Sequence, residues 1–253
     1  MMLALLAMTG FAASILNAIA GGGAFLTIPV LMLAGLDARA ANMTSIVALF
    51  PGQLAIAWMA RGAVESIPGT PLGALVLASF IGGLAGAALL IATPSTIFAV
   101  IVPWLIGIST FIYAVEPLSA RRLGVRNAAP LPKPAVLGIA AATGGYGGYF
   151  GGGVGFLVIA LLTLAGAAPR AAGATKNLLA AVFNATAALV YFLSGNLEAT
   201  GTAALAAGGI AGGFAGGRLA LRLPEPQLRI AIVFLGVVLT GWLLAQNHLA
   251  VRP

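Results

Sequence analysis

The sequence predicts an all-α integral membrane protein of two inverted repeats, each a glycine-broken re-entrant helix pair plus three transmembrane helices. Three observations carry that reading. Hydrophobic residues form 61% of the chain and charged residues 7%, whereas an ordinary soluble domain is about one quarter charged; 12 Lys+Arg and 5 Asp+Glu cannot cover a water-facing surface. Apolar stretches recur along the whole chain, and two of them carry a triple glycine near their middle. The second half repeats the first at a shift of 131 residues.

A crossing helix needs about 20 apolar residues. Met1–Gly35 is too long for one: as a straight helix it would run to about 50 Å, against a hydrocarbon core of about 30 Å. Gly21-Gly22-Gly23 divides it, so it reads as two half-helices entering and leaving on one side. No basic segment precedes it, and a cleaved signal peptide is not expected. Spans follow at Ala38–Ala60, Pro71–Ile91 and Ser95–Val115. Glu116–Lys133 is the one long polar link, with Arg121, Arg122, Arg126 and Lys133 among three prolines. Pro134–Gly166 is the second interrupted stretch, broken at Gly151-Gly152-Gly153, and spans at Ala171–Ser194, Thr200–Leu221 and Gln227–Gln246 complete the chain. One transmembrane domain results: repeat one 1–116, a cytoplasmic linker 117–133, and repeat two 134–247.

The repeat rests on specific matches. At the shift of 131, Gly21-Gly22 falls on Gly152-Gly153, Phe25-Leu26 on Phe156-Leu157, Arg39-Ala40-Ala41 on Arg170-Ala171-Ala172, and Thr44 on Thr175. Gly82/Gly86 and Gly212/Gly216, spaced as in GxxxG, also correspond and read as helix-packing glycines. Charge sets the orientation of the halves. Parallel eight-span copies would put Arg218, Arg222 and Arg229 opposite Arg121, Arg122, Arg126 and Lys133, against the positive-inside rule. Inverted halves put all of these, with Arg61 and Arg170, on the cytoplasmic side, leaving Arg39 and Arg252 outside.

Inverted repeats with helices broken near the midplane are a transporter pattern, because a broken helix offers N–H groups and a positive dipole end to an anion. The candidate substrate-binding residues are therefore Gly21, Gly22, Gly23, Gly151, Gly152 and Gly153, with polar groups nearby: Asn17, Thr44, Ser45 and Gln53 in the first half, and Thr175, Lys176, Asn177 and Asn184 in the second. Gln53 and Asn184 are repeat partners; interhelical hydrogen bonding and substrate contact both fit them. Lys176 either snorkels to the interface or faces the cavity as a cation. Arg39 and Arg170, at helix entrances, are anchors or an anion funnel. No acidic residue lies deep in a span, the single His248 is near the C-terminus, and there is no phosphate-binding lysine loop. No catalytic residue, metal site or cofactor is expected, and a membrane enzyme is disfavoured. With no side-chain proton relay, the expected driving force is the membrane potential, about 2.3 kcal/mol per charge per 100 mV.

The glycine break, the Pro29-Val30-Leu31-x-Leu33-x-Gly35 stretch, the Ala40-x-x-x-Thr44-Ser45 segment and the duplication together resemble the TauE/SafE sulfite exporter family, also known as the four-toluene sulfonate uptake permeases, over about residues 3–246. The resemblance implies movement of sulfite, a sulfonate or a related anion across a bacterial inner membrane, with the site at the breaks. The chain has Thr175-Lys176 where its own first half has Thr44-Ser45, making the site asymmetric and more cationic. Expected partners are a small anionic substrate and the lipid bilayer, with a homodimer as one assembly and no nucleic acid despite the net charge of +7. The alternatives are an anion channel and a non-transporting membrane assembly subunit.

The chain has no cysteine, so single cysteines report topology directly. Asp37→Cys should react with an impermeant maleimide from outside intact spheroplasts, and Asn127→Cys and Pro226→Cys only after permeabilisation. Labelling of positions 37 and 226 from the same side would exclude the inverted arrangement.

Overall fold

The computed structural model describes residues 1–19, 21–122, 131–195, 197, 199–219, 233–234 and 236–245. Helix α1 (Met2–Ile19) stops where the glycines begin. Gly21 takes a left-handed φ of 77°, a conformation open to glycine at little cost, and its N–H turns back to the carbonyls of Leu16 (3.2 Å) and Asn17 (3.1 Å). The chain then doubles back: Gly23 lies against the carbonyl of Ala13, and α2 (Ala24–Leu33) departs from that turn. Gly35, with φ 100°, closes α2 as the Leu36 N–H reaches the Leu31 carbonyl at 3.1 Å, a Schellman-type end. Asp37 caps α3 (Ala38–Ala60), its carboxylate accepting from the N–H groups of Arg39 (3.0 Å) and Ala40 (3.1 Å). A 3-10 turn, Arg61–Ala63, leads to α4 (Leu72–Ala92) and α5 (Ser95–Arg122).

The same order then recurs as α6 (Lys133–Tyr149), a glycine break, α7 (Val154–Leu164), α8 (Pro169–Leu193), α9 (Ala199–Leu219) and α10 (Gly236–Ala245). Gly151 repeats the left-handed turn of Gly21 with φ 75°. The two breaks thus correspond one residue away from the pairing read from the sequence. At the ends of α2 and α7 the shift of 131 returns: Gly166 has φ 88° and the Ala167 N–H bonds to the Leu162 carbonyl at 2.9 Å. Among the described residues there is no strand beyond an isolated bridge, Ile67–Thr70.

Five helical segments are long and apolar enough to cross a membrane: Met2–Ile19, Ala38–Ala63, Leu72–Ala92, Ser95–Ile112 and Arg170–Leu193. Three expectations change. α1, expected as half of a hairpin, is by length and composition itself a candidate span. α9 has the length of a span, but its glycines dilute its hydropathy. α5 runs on to Arg122, so the polar link begins well after Glu116, its prolines and basic residues notwithstanding. Arg126, Arg222, Arg229, His248 and Arg252 lie outside the described residues, as does most of the segment expected as Gln227–Gln246.

Packing exchanges helices between the halves. α1 lies along α9, and α4 along α6. In the first pair Ala7 meets Gly208, Phe11 meets Gly212 and Ile15 meets Gly216, so the two helices run parallel; in the second, Gly82 meets Ala141 and Gly86 meets Gly145. The GxxxG glycines are therefore packing residues, each standing where a side chain would press on the partner backbone. α3 and α8, the corresponding helices of the two halves, run antiparallel: Gln53 meets Asn177, while Glu65, beyond the end of α3, meets Thr175. Phe25, Phe98, Phe150 and Tyr191 fill one buried cluster around the breaks, and Phe183 anchors a second between α4, α6, α7 and α8.

Gly212→Val should cost about 1–3 kcal/mol by forcing α9 away from α1, read as a lowered Tm in detergent. Gly138→Ala, in α6 with nothing within 4 Å of the added carbon, should leave Tm unchanged or raise it. Equal effects of the two would show that α1 and α9 are not held by glycine contact.

Candidate functional site

The two glycine breaks meet. The Gly153 N–H donates to the Gly21 carbonyl at 3.0 Å, and Gly21 stands so close to Gly155 that an added methyl carbon would lie 2.8 Å from its Cα. Within a bilayer every such backbone group needs a partner inside the protein, and each break finds partners across the fold. Asn17 accepts the Gly23 N–H through Oδ1 at 2.8 Å. The Gly152 carbonyl accepts from the Tyr146 hydroxyl at 3.0 Å, and Ser109 hydrogen-bonds that hydroxyl in turn. At the end of α6, Asn42 donates to the Tyr149 carbonyl (3.0 Å) and the Tyr191 hydroxyl to the Gly148 carbonyl.

Lys176 completes the set. It is 2% exposed, and its Nζ points at the last carbonyls of α1, 3.3 Å from Ala18 and 3.5 Å from Asn17. A cation at a helix C-terminus complements the negative end of the dipole. The snorkelling alternative does not hold, since the ammonium turns into the bundle. Its repeat partner Ser45 instead bonds Thr27 on α2.

A narrow crevice of about 20 Å³, room for about one water-sized molecule, opens beside this contact. Asn17 and Gly21 line it from the first break; Gly151, Val154 and Gly155 from the second; Gln53 from α3; and Lys176, Asn177, Ala180 and Asn184 from α8. Gln53 donates through Nε2 to the Asn177 carbonyl at 3.1 Å, an interhelical bond, and also lines the cavity. The first-turn N–H groups of α7, which a helix leaves without internal acceptors, belong to Val154 and Gly155 on this lining. A cation, amide groups and a helix N-terminus thus face one small space, a combination suited to an oxyanion.

Other sequence candidates stand elsewhere. Gly22, Gly23, Gly152 and Gly153 shape the breaks without lining the cavity. Thr44 is fully buried with no partner for its hydroxyl. Thr175 accepts the Glu65 N–H (3.4 Å) and donates to the Glu65 carbonyl (3.3 Å). Arg39 spans to the end of α4, donating to the carbonyls of Ile91 (3.2 Å) and Thr93 (2.8 Å), a helix cap. Arg170 is exposed in a wider cleft with Gly62, Ala63 and Glu65. Sequence reasoning passed over Tyr146, Tyr191 and Ser109. Three of the chain's 4 tyrosines are Tyr146, Tyr149 and Tyr191, and two of these stand within five residues of a glycine break, the one signal available. No group of three or more His, Asp or Glu able to hold a metal occurs among the described residues.

Apolar helices of spanning length around two broken helices, with a polar cavity at their meeting point, define an integral membrane protein of the transporter class. The chain matches the family described as Sulfite exporter TauE/SafE over residues 6–243, and it belongs to that family. It is 30% identical over 251 residues to the probable membrane transporter protein YfcA of Escherichia coli K12, covering 98% of this chain and 91% of that protein. A second relative, the probable membrane transporter protein ORF9 of a Sinorhizobium species, is 28% identical over 170 residues, 65% of this chain and 62% of the relative. No solved structure matches the chain.

Asn17→Leu should lower Tm in detergent by leaving the Gly23 N–H without an acceptor, a loss of about 1–3 kcal/mol. Asn17→Asp, which keeps a carboxylate oxygen for that N–H, should retain more of the stability. If the two substitutions behave alike, the Asn17–Gly23 bond does not hold the first break.

Proposed function

We propose that the protein carries a small oxyanion of sulfur, sulfite or a sulfonate, outward across a bacterial inner membrane, holding it between the glycine breaks and exposing it to each side in turn. The observation that carries this reading is Lys176, a cation buried in the bundle on the wall of the cavity that the N-terminus of α7 also faces. A buried charge inside a membrane is costly and marks function by default. The family description supports sulfite as the anion.

The inverted arrangement is supported by the antiparallel run of α3 and α8, since corresponding helices of parallel copies would run the same way. It brings Arg61, at the end of α3, and Arg170, at the start of α8, to one face of the bundle; by the positive-inside rule that face is cytoplasmic. The exposed Arg170 then stands at the cytoplasmic mouth to gather anions, while Arg39 is engaged in capping α4.

Thermal unfolding of the purified protein with sulfite tests the site. Tm should rise with concentration as RT ln(1 + [L]/Kd). Lys176→Gln keeps a donor for the α1 carbonyls but removes the charge, and should weaken sulfite binding about tenfold or more. A sulfite-induced shift of unchanged midpoint in this variant would confine Lys176 to capping α1.

A further inference from the structure

The cavity wall is not uniformly a donor surface. Gln53 gives its Nε2 to the Asn177 carbonyl at 3.1 Å. A carbonyl can only accept, so this amide cannot be turned round, and Oε1 is its other end. Gln53 is 3% exposed and lines the cavity, so Oε1 is the end it can turn toward that space. Asn177, on the same wall, has a buried Oδ1 with no hydrogen-bond partner. Asn17 is fixed in the opposite sense: its Oδ1 takes the Gly23 N–H, so the end left over is the NH2 donor. The lining therefore offers donors from Asn17, Lys176 and the first turn of α7, an acceptor from Gln53, and in Asn184 an amide that can serve as either.

Charge sets a second limit. Among the described residues, Lys176 is the only charged one on the cavity wall. One ammonium neutralises one negative charge, and a second would stand uncompensated in the membrane interior, where isolated charge is expensive. An anion made only of acceptor oxygens would also face Gln53 Oε1 with oxygen against oxygen, leaving a buried acceptor unpaired.

Resting on the anion site above, we infer that this site selects monoanions that also carry an O–H or N–H donor, over dianions and over monoanions without a donor. The anionic oxygens lie toward Lys176 and the N-terminus of α7; the donor lies toward Gln53 Oε1. Hydrogen-bearing oxyanions and hydroxy-substituted short sulfonates share this chemistry.

Hydroxymethanesulfonate and ethanesulfonate test it, being equal in charge and closely matched in size, with a hydroxyl exchanged for a methyl. In titration calorimetry with the full chain in detergent, hydroxymethanesulfonate should bind about tenfold or more tightly than ethanesulfonate, since a site built to hydrogen-bond a hydroxyl rejects the analogue lacking it. Sulfate, a dianion without a donor, should bind more weakly than both. Gln53→Met, of similar size without the acceptor, should reduce the ratio between the two sulfonates to near one. Equal affinities in the unsubstituted protein, or a ratio that survives Gln53→Met, would overturn the donor requirement. If binding is equal for both sulfonates yet still weakened by Lys176→Gln, the anion site stands and only this inference fails. If neither sulfonate, nor sulfite, binds, both fail.

Discussion

A backbone carbonyl or N–H that leaves a helix inside a bilayer must find its partner within the protein, and that demand organises this molecule. Two helices are interrupted, and each exposes a C-terminus and an N-terminus in the interior. The breaks answer part of the demand for each other through the Gly153–Gly21 bond. The rest is met by side chains reaching in from other helices: Asn42 from α3, Ser109 from α5, Tyr146 from α6, and Lys176 and Tyr191 from α8. The polar residues of this apolar chain are thus concentrated where the helices fail. The cavity follows as the space left where two turns of backbone meet.

The repeat is symmetric in backbone and asymmetric in chemistry. The end of α6 is satisfied by neutral donors, an amide and a phenol, whereas the end of α1 is satisfied by an ammonium. Ser45 and Lys176 occupy the same place in their repeats, but only the lysine reaches the partner half's helix end; Ser45 stays with Thr27 of its own half. Neutral caps complete the second break as structure. A cation at the first break has bonding capacity beyond the two long carbonyl contacts, and it faces the N-terminus of α7 across the cavity. The difference between serine and lysine at this position thus separates a bond within one half from a bond between the halves.

Much of this was legible in the sequence because glycine and charge are read locally. The triple glycines located both breaks, and the amides Asn17, Gln53 and Asn184 stood out in an apolar chain. What escaped depends on distance in space. Gly21 pairs with Gly151 through backbone φ, which a residue alignment dense in glycine cannot distinguish from its neighbours. Arg39 read as a funnel because its partners, the carbonyls of Ile91 and Thr93, are backbone atoms common to every residue. Val154 and Gly155 carry no polar side chain, and their place on the cavity wall comes from their position at the start of α7. The side of the bundle that Lys176 faces was undetermined for the same reason: a long flexible stem permits both directions, and only the α1 carbonyls select one.

Packing divides the bundle along a different line from the duplication. α1 and α3 pack with α9, while α4 packs with α6 and α8, so each body takes its fourth helix from the other half. Glycine contacts hold the bodies internally, backbone on backbone from Ala7–Gly208 to Ile15–Gly216 on one side and from Gly82–Ala141 to Gly86–Gly145 on the other. Sliding within such an interface would drive backbone into backbone, since no flexible side chain lies between. The bodies face each other at α3 and α8, where an apolar core that includes Ile46, Phe150 and Tyr191 is joined by polar links: Gln53 to Asn177, Thr175 to Glu65, Lys176 to α1 and Gly153 to Gly21. Polar links of this kind can be exchanged for bonds to a solute or to water with small net change, because each net contributes only about 0.5–1.5 kcal/mol. The cavity lies on this seam, with Asn17 and Gln53 lining it from one body and Lys176, Asn177 and Asn184 from the other.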